Sequence, residues 1–235
     1  MHHELLAPLA TDLEAIALHA RSTAPVPTCP GWTVRDLALH AGRVVRLAAS
    51  AVRGGDEGRL PRRPRPPEDV DPAEWLRVGS AELLEALGGA EAEAVVPTFT
   101  GTATPAWWLR RQAVEMAIHR LDAELALGRP GPIHPAVAAA GVDEFFDVVC
   151  TDWHPDALAG RDASVHLHAA EGGEWTATWA GGVVTWDRSH AKGDVAVRGE
   201  VADLLALLWG RPTAGPVEVL GNDALLSDLL AATAT

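Results

Sequence analysis

Cysteine is nearly missing from this 235-residue chain. The two thiols, Cys29 and Cys150, cannot build a disulfide framework, and neither has a partner at a metal-type spacing. Both read as small, semi-buried residues. With nothing marking the chain as secreted, a reducing cytoplasm is the expected location. Long apolar runs are missing as well: no stretch reaches the roughly 18 residues that a membrane span needs, so a soluble protein is expected. The amino-terminal MHHELLAPLATDLEAIALHA lacks a basic leader and mixes charged with apolar residues, which does not read as a signal peptide. Positive charge is in deficit, with a net charge of −13. Such a surface repels phosphate backbones and argues against nucleic acid as a partner. Tyrosine is absent while tryptophan occurs nine times. Together with abundant Ala, Arg and Pro, that pattern points to a GC-rich genome rather than to a function. There is no internal repeat and no low-complexity tract.

What is present is the makings of a folded protein. Hydrophobic residues at 48% against 22% charged argue against disorder, and the length suffices for one large domain or two small ones. The first 150 residues read as helices. Leu5, Leu6, Leu9, Leu13, Ile16 and Ala17 recur at helical spacing over residues 4–20. After a break at Pro25, Pro27 and Pro30, Thr33 with Asp36 three residues on resembles a capping box, opening a helix that runs to Gly54 and Gly55. Residues 55–71, rich in Pro and Arg, must be a loop. Its Arg59, Arg62, Arg63 and Arg65 could attract an anionic ligand or simply form a solvated linker. Further helices are expected over 72–87, from Pro105 to Leu127 with proline in the first turn, and over 135–150.

The pattern changes after residue 160. Val165, Leu167 and Ala169 alternate with His166 and His168, and Trp175, Ala177 and Trp179 alternate beyond the Gly172-Gly173 turn. Strands over 183–186, 194–198 and 217–220 and helices over 201–209 and 224–230 complete a small α+β unit. The expected organisation is thus a helical bundle over 1–152 and a mixed domain over 160–235.

Glu115 and His119 stand four residues apart on the longest expected helix, in VEMAIHRLD. Four residues turn a helix by about 400°, so both side chains leave one face and could reach one ion. Val114, Ile118 and Leu121 mark that helix as largely packed, where a carboxylate needs a partner. His40, in DLALHAGRVV, lies on an otherwise apolar side. Two His and one Glu suit zinc, with a fourth position left open. Spacing alone leaves two readings: a metal site, or a surface Glu/His pair with a satisfied core histidine.

TCPGWTVRDLALHAGRVVRLAA (residues 28–49) resembles the Pro-Gly-Trp-(Ser/Thr)-Val-x-Asp-Leu-x-x-His segment of the mycothiol-dependent maleylpyruvate isomerase family. That family is one of the DinB-like (YfiT-like) metal-binding four-helix bundles. QAVEMAIHRLDAELALG (112–128) is similar to its second motif, Glu-x-x-x-His-Arg-x-Asp-Ala. DVAVRGEVADLLALLWGR (194–211) and the following VEVLGNDALLSDLL resemble its C-terminal domain, which is like sterol carrier proteins. The resemblance covers nearly the whole chain, in order. It implies an α+β protein, a DinB-like four-helix bundle followed by a small mixed α/β domain. His40, Glu115 and His119 would ligate a divalent metal, zinc first, with nickel also accepted by the donor set. The resemblance further implies mycothiol as a thiol cofactor, held as a thiolate at the open position, because zinc deprotonates a coordinating thiol at neutral pH. The thiolate would add to a small electrophile. It then leaves, giving an isomerase, or stays, giving an S-transferase.

Other residues keep two readings each. Asp122 could orient an imidazole or pair with a neighbouring Arg. Trp32 is expected to pack the start of the second helix. Of Trp107 and Trp108, one is expected in the core and the other could line a substrate mouth. Arg198 and Arg211 could clamp a substrate carboxylate or form surface or interface ion pairs. His166 and His168 could form a second metal pair, but no third ligand is evident nearby. His2 and His3 are terminal and expected to be mobile. Three functions follow: a zinc- and mycothiol-dependent enzyme working as a monomer on small molecules, a metal-stabilised bundle binding a ligand or partner, or a lipid carrier.

Overall fold

A computed structural model describes residues 3–55, 58–158 and 160–234. His2, the side chain of His3, and Asp56 and Glu57 of the Arg-rich loop lie outside the described residues. Two compact units divide the chain, Met1–Ile133 and His134–Thr235. The junction thus falls earlier than the 152–160 expected from sequence.

Four long helices make up the first unit: α1 (Leu6–His19), α2 (Val34–Val52), α3 (Pro72–Gly89) and α4 (Pro105–Ala126). Three of them start for a local reason. At α2 the capping box forms, with the Thr33 side chain accepting from the Asp36 amide and the Asp36 carboxylate accepting from the Thr33 amide. At α3 the Asp71 carboxylate accepts from the amides of Ala73 and Glu74, and Pro72 occupies the first turn. Pro105 opens α4 in the same way. Leu9, Leu13 and Ile16 of α1 and Leu37, Val44 and Val45 of α2 are buried at helical spacing, the apolar faces that the bundle needs.

Helices α2 and α3 approach most closely, and two glycines permit it. A methyl group on Gly42 would collide with the Trp75 indole, and one on Gly79 would meet Arg46 and Val45. The Arg46 guanidinium lies 3.6 Å from the centre of the Trp75 ring and donates to the Trp75 carbonyl at 2.7 Å.

The first unit is not all-helical, contrary to the sequence reading. An antiparallel hairpin, β1 (Val96–Thr98) and β2 (Gly101–Ala103), interrupts it. Of Trp107 and Trp108, Trp108 is the core residue, its indole N–H donating to the Pro97 carbonyl at 2.9 Å. Trp107 is half-buried beside it and Phe99.

In the second unit α5 (Pro135–Glu144) continues into a π-helical segment, Phe145–Trp153, where the sequence predicts one regular helix. Helix α5 packs against α6 (Val201–Leu208), which explains why it belongs with this unit. Strands β3 (Ala163–Ala169), β4 (Glu174–Ala180), β5 (Val183–Asp187), β6 (Val195–Gly199) and β7 (Glu218–Gly221) form one sheet in the order β5-β4-β3-β6-β7. Only β3 and β6 are parallel. Val165, Leu167, Trp175, Ala177, Trp179, Val195 and Val197 are buried on one face, as the alternation predicts, with α6 and α7 (Asp223–Ala232) packed against it.

Candidate metal centre

Three segments of the first unit converge. The residues before α2 form a turn in which the Trp32 amide donates to the Cys29 carbonyl at 3.0 Å. Pro30 and Gly31 are its central residues, and Gly31 has φ of 82°, the left-handed value that a type II turn requires at that place. The turn sends Cys29 toward α4 and Trp32 toward α2. Helix α2 then supplies His40, and α4 supplies Glu115, His119 and Asp122 from successive turns of one face.

The structure brings the three sequence-predicted ligands together. His40 Nε2 lies 3.3 Å and His119 Nε2 3.4 Å from the same oxygen, Oε1 of Glu115. The two imidazoles meet edge to face with ring centres 5.1 Å apart. One donor atom from each residue falls within 4.8 Å of the others, close enough to share one cation. Glu115's other oxygen, Oε2, is engaged by the buried guanidinium of Arg111 one turn earlier. The carboxylate is therefore divided, one oxygen paired with a cation and one facing both imidazoles.

Protonation favours ligation at His40. Burial first, then the charges of His119, Arg63, Arg43 and Arg111, push its pKa down to about 3. The ring is thus neutral at physiological pH, the form with a lone pair to give. His119 is oriented from behind: its Nδ1 lies 3.1 Å from Oδ2 of the fully buried Asp122. Asp122 also accepts from Thr28 Oγ1 at 2.6 Å and from Cys29 Sγ at 3.6 Å. Asp122 thus makes the imidazole contact that one of its two sequence readings expects. The neighbouring Arg120 turns instead to Asp12, Glu124 and the Pro132 carbonyl.

Sequence reasoning missed Arg111 and the place of Cys29. No motif marks Arg111 except its i, i+4 spacing to Glu115. Cys29 also forms a second donor cluster with His119 and Asp122. Trp32 packs directly on His40, ring centres 5.0 Å apart, so it borders the centre as well as starting the helix. The Arg-rich loop is tied back to α2 by Arg43 Nε, which donates to the Pro64 carbonyl at 3.2 Å. Arg63 reaches within 5.8 Å of the Phe99 ring centre.

The remaining candidates lie in the second unit. Arg211 donates to the Trp209 carbonyl at 2.6 Å, just past α6. Arg198 is exposed on β6, in register with His168 on one side and Glu218 on the other. Among the described residues no helix is long and apolar enough to cross a membrane.

No curated protein sequence matches the chain. Solved structures that match in fold include those of the mycothiol-dependent maleylpyruvate isomerase and of a mutant of it. Each is 16% identical, covers 92% of this chain and 91% of its own, and superposes with a TM-score of 0.62. Family models match both units in order: residues 2–124 fit the mycothiol maleylpyruvate isomerase N-terminal domain, and residues 136–228 fit the MDMPI C-terminal domain. The chain belongs to the mycothiol maleylpyruvate isomerase family.

Proposed function

We propose that this chain is a metal- and mycothiol-dependent enzyme acting on a small electrophile, as an isomerase or as a thiol S-transferase. His40, Glu115 and His119 would hold a divalent ion, zinc by preference and nickel as the second choice. The observation that carries this reading is the convergence of both Nε2 atoms on one oxygen of Glu115. An ion bound there would supply the Lewis acidity that makes a thiol nucleophilic at neutral pH.

The chain's own residues have distinct tasks. Asp122 keeps the His119 proton on Nδ1 and leaves Nε2 as the donor atom. Arg111 neutralises one carboxylate oxygen and fixes the direction of the other. Trp32 covers one side of His40 and keeps water from that flank. Arg43 and Arg63 place positive potential around His40, which suits a substrate that carries carboxylates. Arg198 and Arg211 remain proposed substrate contacts of lower rank, Arg211 because its guanidinium is already engaged at Trp209. The enzyme would work in the cytoplasm on small molecules alone.

The test is metal content and turnover in protein prepared without a metal-affinity column. His119→Ala should carry about one ion fewer per chain than the parent and lose mycothiol-dependent turnover. Wild-type metal content in that variant would overturn the assignment of ligands. Metal-replete protein that neither binds mycothiol nor turns over any of a panel of electrophiles would instead make the chain a binding bundle.

A further inference from the structure

Outside the N-terminal centre, a second group of donor side chains stands on the other face of the sheet. Strand β3 sends Val165 and Leu167 into the core, so His166 and His168 must both emerge on the opposite face. The antiparallel register then sets His168 directly across from Glu174, the first residue of β4. Glu174 is the third donor residue that the sequence could not supply, since only strand pairing brings it there. His168 Nδ1 lies 2.8 Å from Glu174 Oε1, and His166 Nε2 lies 3.3 Å from Oε2. The donor atoms of these three residues all fall within 4.8 Å of one another.

A fourth donor arrives from the connection between β5 and β6. Thr176 Oγ1 donates to the Ser189 carbonyl at 2.9 Å, which holds that connection over the face. Arg188, next to it, is clamped by Asp143 at 2.6 and 2.9 Å. His190 is thereby placed with Nδ1 2.6 Å from Glu174 Oε2, its ring edge-on to that of His166. Three imidazoles thus face one carboxylate.

We propose that His166, His168, Glu174 and His190 form a second divalent-cation site, one suited to a late first-row transition metal such as zinc. Three nitrogens and one oxygen match the four donors that tetrahedral zinc takes, and imidazole selects zinc, copper or nickel over calcium and magnesium. A plain ion-pair network fits less well. Three imidazoles converge on the single carboxylate of Glu174, more nitrogens than one negative charge needs as ion-pair partners, and His166 is only 5% exposed. A neutral imidazole beside a carboxylate is the donor arrangement a cation needs. His168 and His190 are more open, which leaves a route for an ion to enter. Arg198 is exposed on β6, in register with His168.

This site is independent of the N-terminal centre, and zinc counting on the full chain can separate them. Untagged protein is stripped with chelator, dialysed against micromolar zinc and analysed for metal per chain. The parent should bind about two equivalents, His119→Ala about one, and the double variant His119→Ala/His168→Ala none. His168→Ala alone should lose about one equivalent. Glu174→Gln keeps the side-chain size, so it repeats the test without depending on the folding of the His168 variant. The proposal is overturned if His119→Ala binds no zinc, or if His168→Ala and Glu174→Gln both keep the parental content. Failure of the N-terminal reading would look different: His119→Ala would match the parent, while His168→Ala would still lose its equivalent.

Discussion

His119 and Asp122 stand on adjacent turns of α4, joined through Nδ1 and Oδ2 at 3.1 Å. That contact fixes which imidazole nitrogen faces Glu115, and Asp122 is itself held in place by Thr28 and Cys29 from the turn before α2. The orientation of His119 is therefore set by residues outside the His40, Glu115 and His119 cluster.

Asp122→Asn should show this. The amide keeps the size of the carboxylate but weakens the acceptor behind His119. Metal affinity should fall by about 10- to 100-fold, measured by competition with a chromogenic chelator. An unchanged affinity would mean that Asp122 serves packing alone.

Gly42→Ala should destabilise the first unit, because its methyl group meets the Trp75 ring across the α2–α3 contact. The expected cost is about 1–3 kcal/mol, read from thermal or denaturant unfolding. Gly88→Ala at the end of α3, with open space around it, is the control and should not show that loss.

Cys150 supplies a pH dependence. It is fully buried, and burial pushes its pKa from 9.0 up to about 12. As pH rises past 9.0 the unfolded chain gives up this proton while the folded chain keeps it. Stability is therefore unaffected by Cys150 below that pH and falls between there and about 12, by up to about 1.4 kcal/mol per pH unit. Unfolding midpoints measured across this range should fall less steeply in Cys150→Ala. In the native protein a thiol reagent should label Cys29 and spare Cys150.

Much of this molecule was legible in sequence because local rules and tertiary needs agree. Thr33 and Asp36 announce the start of α2, Pro105 announces α4, and the Val165–Ala169 alternation gives the strand and its buried face. Glu115 and His119 could be paired because a helix period relates them, whereas linking them to His40 required the family motifs. The hairpin at 96–103 escaped because strands of three residues carry no readable period. The π-helical segment escaped because Phe145, Phe146 and Val149 fit a regular apolar face equally well. Placing the boundary near 152 followed from reading 135–150 as bundle, when its partner α6 lies far along the chain. Glu174 and His190 join His166 and His168 only through strand register and a tethered connection, neither of which spacing can express.

The divided carboxylate of Glu115 has a consequence for selectivity. With Oε2 engaged by Arg111, Oε1 is the oxygen that faces both imidazoles, so an ion held by His40, Glu115 and His119 would meet the carboxylate through one oxygen. Calcium prefers six to eight oxygen ligands, with carboxylates often bidentate, and such a pocket denies it that coordination. Arg111 would then act as a filter against hard ions as much as a neutralising charge, excluding them by the valence it withholds.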